Sequence, residues 1–487
     1  MEIPPEEMEV CLQVLHRIAN YPPAIKRMDV RFHALISKIY REGKRLDTQV
    51  EKKQLRDEDR ALRATTAMVT LQRDGIPAAA LPAFSNAATS DTAASDPASS
   101  GLLSSGSVSS NSVSSGRTLN QSDSCYICKQ AFVEMHFFYH LLCPTCAEFN
   151  YRMRSLRADL TGRTALVTGG RVKIGFQTVL RLLRDGARVI VTTRFPHVAA
   201  RRFHAEADSA EWEDRLLLYG LDLRNIPAVE AFARQMLTVE PHLDIIIHNA
   251  AQTIRRPQGF YQDLMAIEQA PHQTLSLEAC RLVHQGAPTT LGIADSSALL
   301  PAVIPGTDVL PADALEDNEE RADSRSINSW LLRLDEVSAP EMLEVQLVNS
   351  VAPFLLNSRL KALLMRSPFS RRFIINVSAM EGQFRRHKTV FHPHTNMAKA
   401  ALNMMTRTSG EDYAKDGIYM NSVDTGWVTD ENPTPKRTRL QEEKGFFPPL
   451  DIIDSMARIY HPIAHGITRE EEPLFGLFLK DYTSCPW

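Results

Sequence analysis

Six short apolar runs beyond residue 160 constrain this chain more than any other feature: TALVTGG (164–170), ARVIVTTR (187–194), RLLLYGLDL (215–223), LDIIIHNAA (243–251), RRFIINVSA (371–379) and IYMNSVDTG (418–426). Each places β-branched and other apolar residues on consecutive positions, so each has two faces to hide. Helical patterns such as GFQTVLRLLRDG (175–186) and NMAKAALNMMTRTSGEDYAKDG (396–417) separate most of them. Strands joined through helices run parallel, and those helices can cover both faces of the sheet. The expected architecture is α/β, a doubly wound parallel sheet.

At 487 residues the chain is too long for one ordinary domain. With 44% hydrophobic and 23% charged residues it can bury a sizeable core, and a net charge of −3 gives no global attraction to nucleic acid or anionic membrane. The N-terminus is acidic and holds no uninterrupted apolar run, which fits no signal peptide, and no run approaches membrane-spanning length. Seven cysteines, few and odd in number, fit a reducing, cytoplasmic setting.

Residues 1–75 read as helical. Phe32, Leu35, Ile36, Ile39 and Tyr40 share one face, which predicts a small packed helical hairpin or else a partner-binding helix. From Pro77 to Thr118, Ser, Ala and Gly dominate and Phe84 is the only aromatic, so residues 76–122 are expected to be a disordered linker. Residues 123–155 contain CYICKQAFVEMHFFYHLLCPTC, in which Cys125, Cys128, Cys143 and Cys146 form two CxxC pairs fourteen residues apart. Two such pairs can offer four thiolates to one tetrahedral ion, so structural zinc is expected, with a redox pair as the alternative. His136 and His140 inside the finger are given packing or supporting roles, since four cysteines complete the shell.

Residues 156–487 make up the α/β domain. After its first strand, LVTGGRVKIG places Gly169, Gly170 and Gly175 at the opening of a helix, where backbone amides can approach a pyrophosphate. The second strand ends at Thr193 without the acid that would hold a ribose 2′-hydroxyl, and Arg194 follows it. With Arg171 and Lys173 in the turn, this favours NADP over NAD.

These residues resemble the short-chain dehydrogenase/reductase family over about 330 positions. Its TGxxxGxG motif is matched at Thr168, Gly169 and Gly175, with Lys173 in place of the middle glycine. Its adenine-contacting Asp is matched by Asp222, its NNAG motif by Asn249 and Ala250, and its structural asparagine by Asn349. Its strand-end serine is matched by Ser378, its YxxxK helix by Lys399, and its PG turn by Thr425 and Gly426. The resemblance implies a Rossmann-like NADP site that also includes Gly170, Arg171, Ile174 and Val428, and oligomers that are dimers or tetramers. In the family's reaction a tyrosine gives a proton to a carbonyl oxygen, the cofactor gives hydride, lysine lowers the tyrosine pKa and holds the nicotinamide ribose, and serine binds the oxygen.

Two departures stand out. Thr395 occupies the tyrosine's position, four residues before Lys399, and a threonine hydroxyl is far too weak an acid to replace a phenol. His392, seven residues before Lys399, would share its face if the helix begins early enough; enoyl reductases of the same family keep their tyrosine at that offset. His394 is a second candidate, and neither histidine reacting is a third reading. The other departure is an insertion at about 257–328, read as a lid over the substrate or as a surface excursion. Arg255 and Arg256 are candidates to anchor an anionic substrate, and Trp427 to pack on cofactor, substrate or core.

The expected function is an NADP-dependent oxidoreductase reducing a carbonyl or activated double bond of a small molecule. The rival is a cofactor-binding scaffold without turnover that recruits a protein through its finger and helical N-terminus. Nucleic-acid binding rests on NYRMRSLR (150–157) alone and is not expected.

Overall fold

The computed structural model describes residues 4–21, 23, 30–74, 117–256, 258–271, 275–284, 323, 325–385, 387–429 and 431–487. The strands among them are β1 (Thr118–Ser124), β2 (Ala131–Glu134), β3 (Thr164–Thr168), β4 (Arg188–Thr193), β5 (Leu216–Gly220), β6 (Ile245–His248), β7 (Arg372–Ser378), β8 (Ile418–Asp424), β9 (Phe478–Lys480) and β10 (Thr483–Cys485). β1 and β2 pair as a hairpin, and the others form one sheet in the order β10-β9-β8-β7-β6-β3-β4-β5. Every pairing in that sheet is parallel except β9 with β10.

All six apolar runs are strands, β3 to β8. Their side chains divide by alternation. Ala165, Val167, Val189, Val191, Ile245, Ile247, Phe373 and Ile375 point to one core, with the helices Lys173–Arg184, Pro196–His204 and Ile452–Thr468 above them. Leu166, Ile190, Ile246 and Ile374 point to the other, beneath Ile226–Val239 and Ala352–Leu364. Both faces are covered, as consecutive apolar residues require. The terminal hairpin β9–β10 has a weak signal because its turn residues, Asp481 and Tyr482, take left-handed backbone at φ 48° and 70° without glycine.

Three expectations about the N-terminal part need correction. The linker is shorter at its far end than 76–122, because Thr118–Ser124 is a strand; residues 75–116 lie outside the described ones. Asp59 at the end of the helix Val30–Ala64 accepts the amides of Asn120 and Gln121 at 2.7 and 3.1 Å and anchors that strand. The face carrying Leu35, Ile39 and Tyr40 is 61%, 65% and 68% exposed, so the described residues do not form the packed hairpin. The finger, in turn, is not a separate bead: Phe138, Tyr139 and Leu142 share a core with Met68 and Leu71 before it and with Leu450 of the α/β domain. No described helix is long and apolar enough to cross a membrane.

Candidate active site and candidate metal centre

From β3 the chain moves outward to β4 and β5, then crosses back to β6 on the opposite side of β3. The carboxyl ends of β3 and β6 therefore flank the crevice of a doubly wound sheet, where ligands of such folds bind. Gly169, at φ +70°, makes the turn, and a methyl group there would lie 2.8 Å from Ala250 Cα. A methyl on Gly175 would lie 2.2 Å from Gly169 O and 2.4 Å from Asn249 Nδ2. Asn249 spends its amide on the turn, donating to the carbonyls of Thr168 and Gly169 at 3.3 and 2.9 Å. Thr168 accepts the Ala250 amide at 3.1 Å. Lys173 holds the left-handed backbone (φ 51°) that the glycine it replaces would take freely. Ile174 and Gly175 follow in the first turn of the helix Lys173–Arg184, with its amides toward the crevice.

At the end of β4, the Arg194 guanidinium lies 4.5 Å from the Tyr261 ring and 5.4 Å from that of Phe195, which Arg171 approaches at 5.3 Å. Asp222 pairs with Arg224 at 2.6 Å. Burial acts to raise the Asp222 carboxyl, but hydrogen bonds and charge from Arg224, with Arg194 farther off, hold it below the usual range. Tyr261 belongs to the insertion, whose described first part lies at this end of the sheet: the Glu268 carboxylate accepts the amides of His197 and Val198, at the start of the helix Pro196–His204, at 3.2 and 3.0 Å. Residues 282–284 extend along β5, with Leu218 N donating to Leu282 O at 2.9 Å. That first part lies beside β4 and β5, whereas the far end of the insertion reaches the segment after β8, with Thr434 N donating to Asp323 O and Asn328 Nδ2 to Glu431 O, both at 3.0 Å; residues 285–322 lie outside the described ones.

On the other side of the crevice, Ser378 ends β7 directly opposite Asp424 of β8. Ser378 Oγ lies 2.6 Å from Asn403 Oδ1, and Lys399 Nζ donates to Val377 O at 2.8 Å. Burial brings Lys399 down to about 8, with Glu381 pulling the other way. Thr395, one turn earlier on the same helix face, is buried and its hydroxyl has no hydrogen-bond partner among the described residues. Asn349 lies on a π-helical turn, Leu347–Val351, and grips the backbone of Gln252 through both amide atoms at 2.7 and 3.0 Å. The Thr425–Gly426 turn follows β8, with Gly426 at φ +79° and its amide on Asp424 Oδ1 at 2.8 Å.

The condition for His392 is not met: the helix starts at Pro393, and His392 precedes it in left-handed conformation (φ 43°). Its ring stacks on Trp330 at 3.8 Å, with Nδ1 2.9 Å from the Trp330 carbonyl. His394 is buried, neither ring nitrogen has a hydrogen-bond partner among the described residues, and Nε2 lies 3.8 Å from Glu341. Burial chiefly, and His392 nearby, lower its pKa, which disfavours it as an acid near neutrality. Arg255 and Arg256 pair with Glu344 (3.3 Å) and Asp323 (2.7 Å), so both cations are already matched by carboxylates. Trp427 is 45% exposed and packs on Phe446 at 5.0 Å rather than in the core. Sequence reasoning missed Tyr261 and Asn403; an aromatic in an insertion and an asparagine one turn after the lysine carry no pattern of their own.

The four cysteines meet as their spacing requires: all four Sγ atoms lie within 4.8 Å of one another, and Cys128 and Cys143 are 3.7 Å apart. A tetrahedron of metal–thiolate bonds of about 2.3 Å has edges near that length. His136 and His140 stay outside this set. His136 Nδ1 accepts the Phe138 amide at 3.1 Å, and His140 Nε2 faces Phe447 O at 3.2 Å.

Residues 163–272 match the family model described as short chain dehydrogenase. The chain is 34% identical over 357 residues to the uncharacterized protein R665 of Acanthamoeba polyphaga mimivirus, covering 70% of this chain and 71% of that protein. It is 44% identical over 94 residues to bovine dehydrogenase/reductase SDR family member 13, a match that spans 19% of this chain and only 24% of that relative. A 34% identity to mouse retinol dehydrogenase 13 covers 22% of this chain and 31% of that protein.

Proposed function

We propose that the chain, whose residues 163–272 match the short-chain dehydrogenase family model, is an NADP-dependent oxidoreductase of that kind acting on a carbonyl or activated double bond of a small molecule. The observation that carries this reading is the convergence, at the carboxyl ends of β3, β6, β7 and β8, of the glycine turn, Asn249, Ser378 and the Thr425–Gly426 turn. A methyl on Gly169 or Gly175 would strike Ala250 or the Gly169 carbonyl, so glycine at both positions is what lets the turn pack tightly enough to offer its amides to a pyrophosphate. Thr168, Gly169, Gly170, Arg171, Ile174 and Gly175 would hold the phosphates, Arg194 the 2′-phosphate, Asp222 and Ala250 the adenosine side, and Thr425, Gly426 and Val428 the nicotinamide end. Bound there, NADP supplies the hydride.

The chain's own residues must supply the proton. Rotating the Asn403 amide so that its unpartnered Nδ2 donates to Ser378 Oγ frees the serine hydrogen for a substrate oxygen. Lys399, brought down to about 8, is a better acid near neutrality than a free phenol. The Thr395 hydroxyl, buried one turn away, makes no hydrogen bond to Lys399 Nζ among the described residues, so a relay through it needs a bound water or the substrate oxygen to bridge the two. Reduction through this route weakens as pH rises past about 8, because Lys399 must be protonated to donate. A pH profile of kcat/KM for reduction, flat up to pH 9 and above, would remove Lys399 from that role.

The decisive assay follows NADPH consumption with the full chain against aldehydes, ketones and α,β-unsaturated carbonyl compounds. Turnover that Ser378→Ala lowers at least tenfold supports the enzyme. NADPH binding with no turnover on any substrate favours the scaffold, the reading that Thr395 in the tyrosine position supports. Arg194→Ala is expected to weaken NADPH by roughly 10- to 100-fold, the worth of a charge-assisted contact, while changing NADH little. Equal losses for both cofactors would count against a 2′-phosphate contact.

For the four cysteines we infer structural zinc, since four thiolates close the shell and leave no position for substrate. Leu343, Val351 and Phe354 on one helical stretch and Met397 and Met404 on another are exposed apolar residues, which fits self-association as a homodimer or homotetramer. The exposed face of the helix Val30–Ala64 remains for a protein partner, in a reducing compartment such as the cytosol.

A further inference from the structure

The metal module of this chain meets the α/β domain along the helix Ile452–Thr468, through Tyr139 on Asp454 and Asn150 on Arg458, and also along the segment after β8. Tyr126, between Cys125 and Cys128, accepts the Trp427 backbone amide on its hydroxyl at 3.0 Å. Trp427 directly follows Gly426 in the turn opposite Ser378. Val428 packs into the finger's core, where Leu450 is buried. Leu450 is also what a methyl on Gly426 would strike, at 2.5 Å. Farther along the segment, His140 Nε2 faces Phe447 O at 3.2 Å, and Gln72 donates to the carbonyls of Pro448 and Leu450 at 3.3 and 3.2 Å. Lys480 completes the contact, its Nζ 3.6 Å from Asp424 and 5.7 Å from the Tyr126 ring.

Tyr126 owes its position to the knuckle that carries it. The amide of Tyr126 donates to Leu141 O at 2.8 Å, Lys129 N closes on Cys125 O at 3.1 Å, and Lys129 itself is left-handed at φ 64°. In a short knuckle with these few backbone bonds, an ion shared with Cys143 and Cys146 is what would keep Cys125 and Cys128 turned to the same point. Tyr126 lies between those two ligands, so its hydroxyl can hold the Trp427 amide only while the knuckle keeps its shape.

We propose that occupancy of the four-cysteine site sets the shape of the Thr425–Val428 turn through the Tyr126 hydroxyl, making the metal module a wall of the active site rather than an independent recruiting domain. This rests on the readings of that turn as the nicotinamide end and of the cysteines as a zinc site. Tyr126 is a positioning residue: it touches neither substrate nor cofactor. Any condition that strips or oxidises the thiolates then loosens the turn, so cofactor affinity becomes sensitive to metal and to thiol oxidation.

The test compares the full-length chain, its Tyr126→Phe variant and the chelator-treated chain by bound zinc, amide hydrogen exchange over residues 425–450 and NADPH titration. Tyr126→Phe keeps the ring and loses only the hydroxyl, so it should retain zinc at the wild-type ratio. Its Trp427 amide should exchange about tenfold faster, as loss of one hydrogen bond allows, and NADPH binding should weaken several-fold. Chelation should speed exchange across the whole segment, and restored zinc should reverse it. Unchanged exchange at Trp427 in Tyr126→Phe, or metal removal that leaves residues 425–450 as protected as before, overturns the proposal. A chain that takes up no zinc overturns it as well. Failure of the wild-type chain to bind NADPH would instead sink the cofactor reading, while the exchange data would still decide the coupling.

Discussion

Replacing Gly175 by alanine is expected to abolish measurable NADPH binding, at least a hundredfold loss, while leaving the chain folded. The added methyl would sit 2.2 Å from Gly169 O and 2.4 Å from Asn249 Nδ2, and neither can retreat cheaply. Gly169 is itself wedged against Ala250, where even an ideal methyl finds only 2.8 Å, and Asn249 is tied to the carbonyls of Thr168 and Gly169. Relief comes by moving the helix start away from the turn, which draws its amides off the phosphates they would cradle. Overpacking of this kind costs about 1–3 kcal/mol, so thermal unfolding should shift by several degrees without loss of a cooperative transition. Normal NADPH affinity in Gly175→Ala would mean that the glycine turn is not the phosphate site.

Lys399→Met should lower turnover by roughly 10²- to 10⁴-fold, the usual contribution of a general acid. The same variant should be more stable than the wild type at neutral pH. Burial depresses Lys399 from its ordinary 10.5 to about 8, so the folded chain pays for the charge throughout the range below about 8. That cost is relieved as pH rises from about 8 toward the ordinary value, because there the folded state has released a proton that the unfolded state still binds. Methionine fills similar volume without charge, so the stability difference should be greatest at pH 7 and shrink by pH 10. Inactive but stabilised protein would separate a functional lysine from a merely structural one. A destabilised Lys399→Met chain would show that the Val377 O contact, rather than the buried charge, dominates at this site.

Much of this was legible in the sequence, and the exceptions have physical causes. Short β-branched runs such as Ile245, Ile246 and Ile247, set between helical patterns, favour strands covered on both sides, so β3 to β8 could be read directly. Two CxxC pairs leave little freedom in how four thiols meet. The hairpin β9–β10 was hidden because its three-residue strands turn through Asp481 and Tyr482, which carry no turn signal. His392 misled because heptad-like spacing assumes continuous helix, whereas its left-handed backbone places it ahead of the first turn, against Trp330. Arg255 and Arg256 misled because their partners, Glu344 and Asp323, lie 89 and 67 residues away in the sequence. The insertion's first part, too, is positioned by a distant contact, Glu268 at the start of the helix Pro196–His204. Tertiary partners of this kind leave no local trace.

The central claim is that the crevice between β3 and β6 binds NADP, and fluorescence titration of the purified full-length chain with NADPH and with NADH tests it without knowledge of the substrate. Saturable NADPH binding, at least tenfold tighter than NADH and sharply weakened in Arg194→Ala, is the predicted result. Binding of neither cofactor would contradict the account.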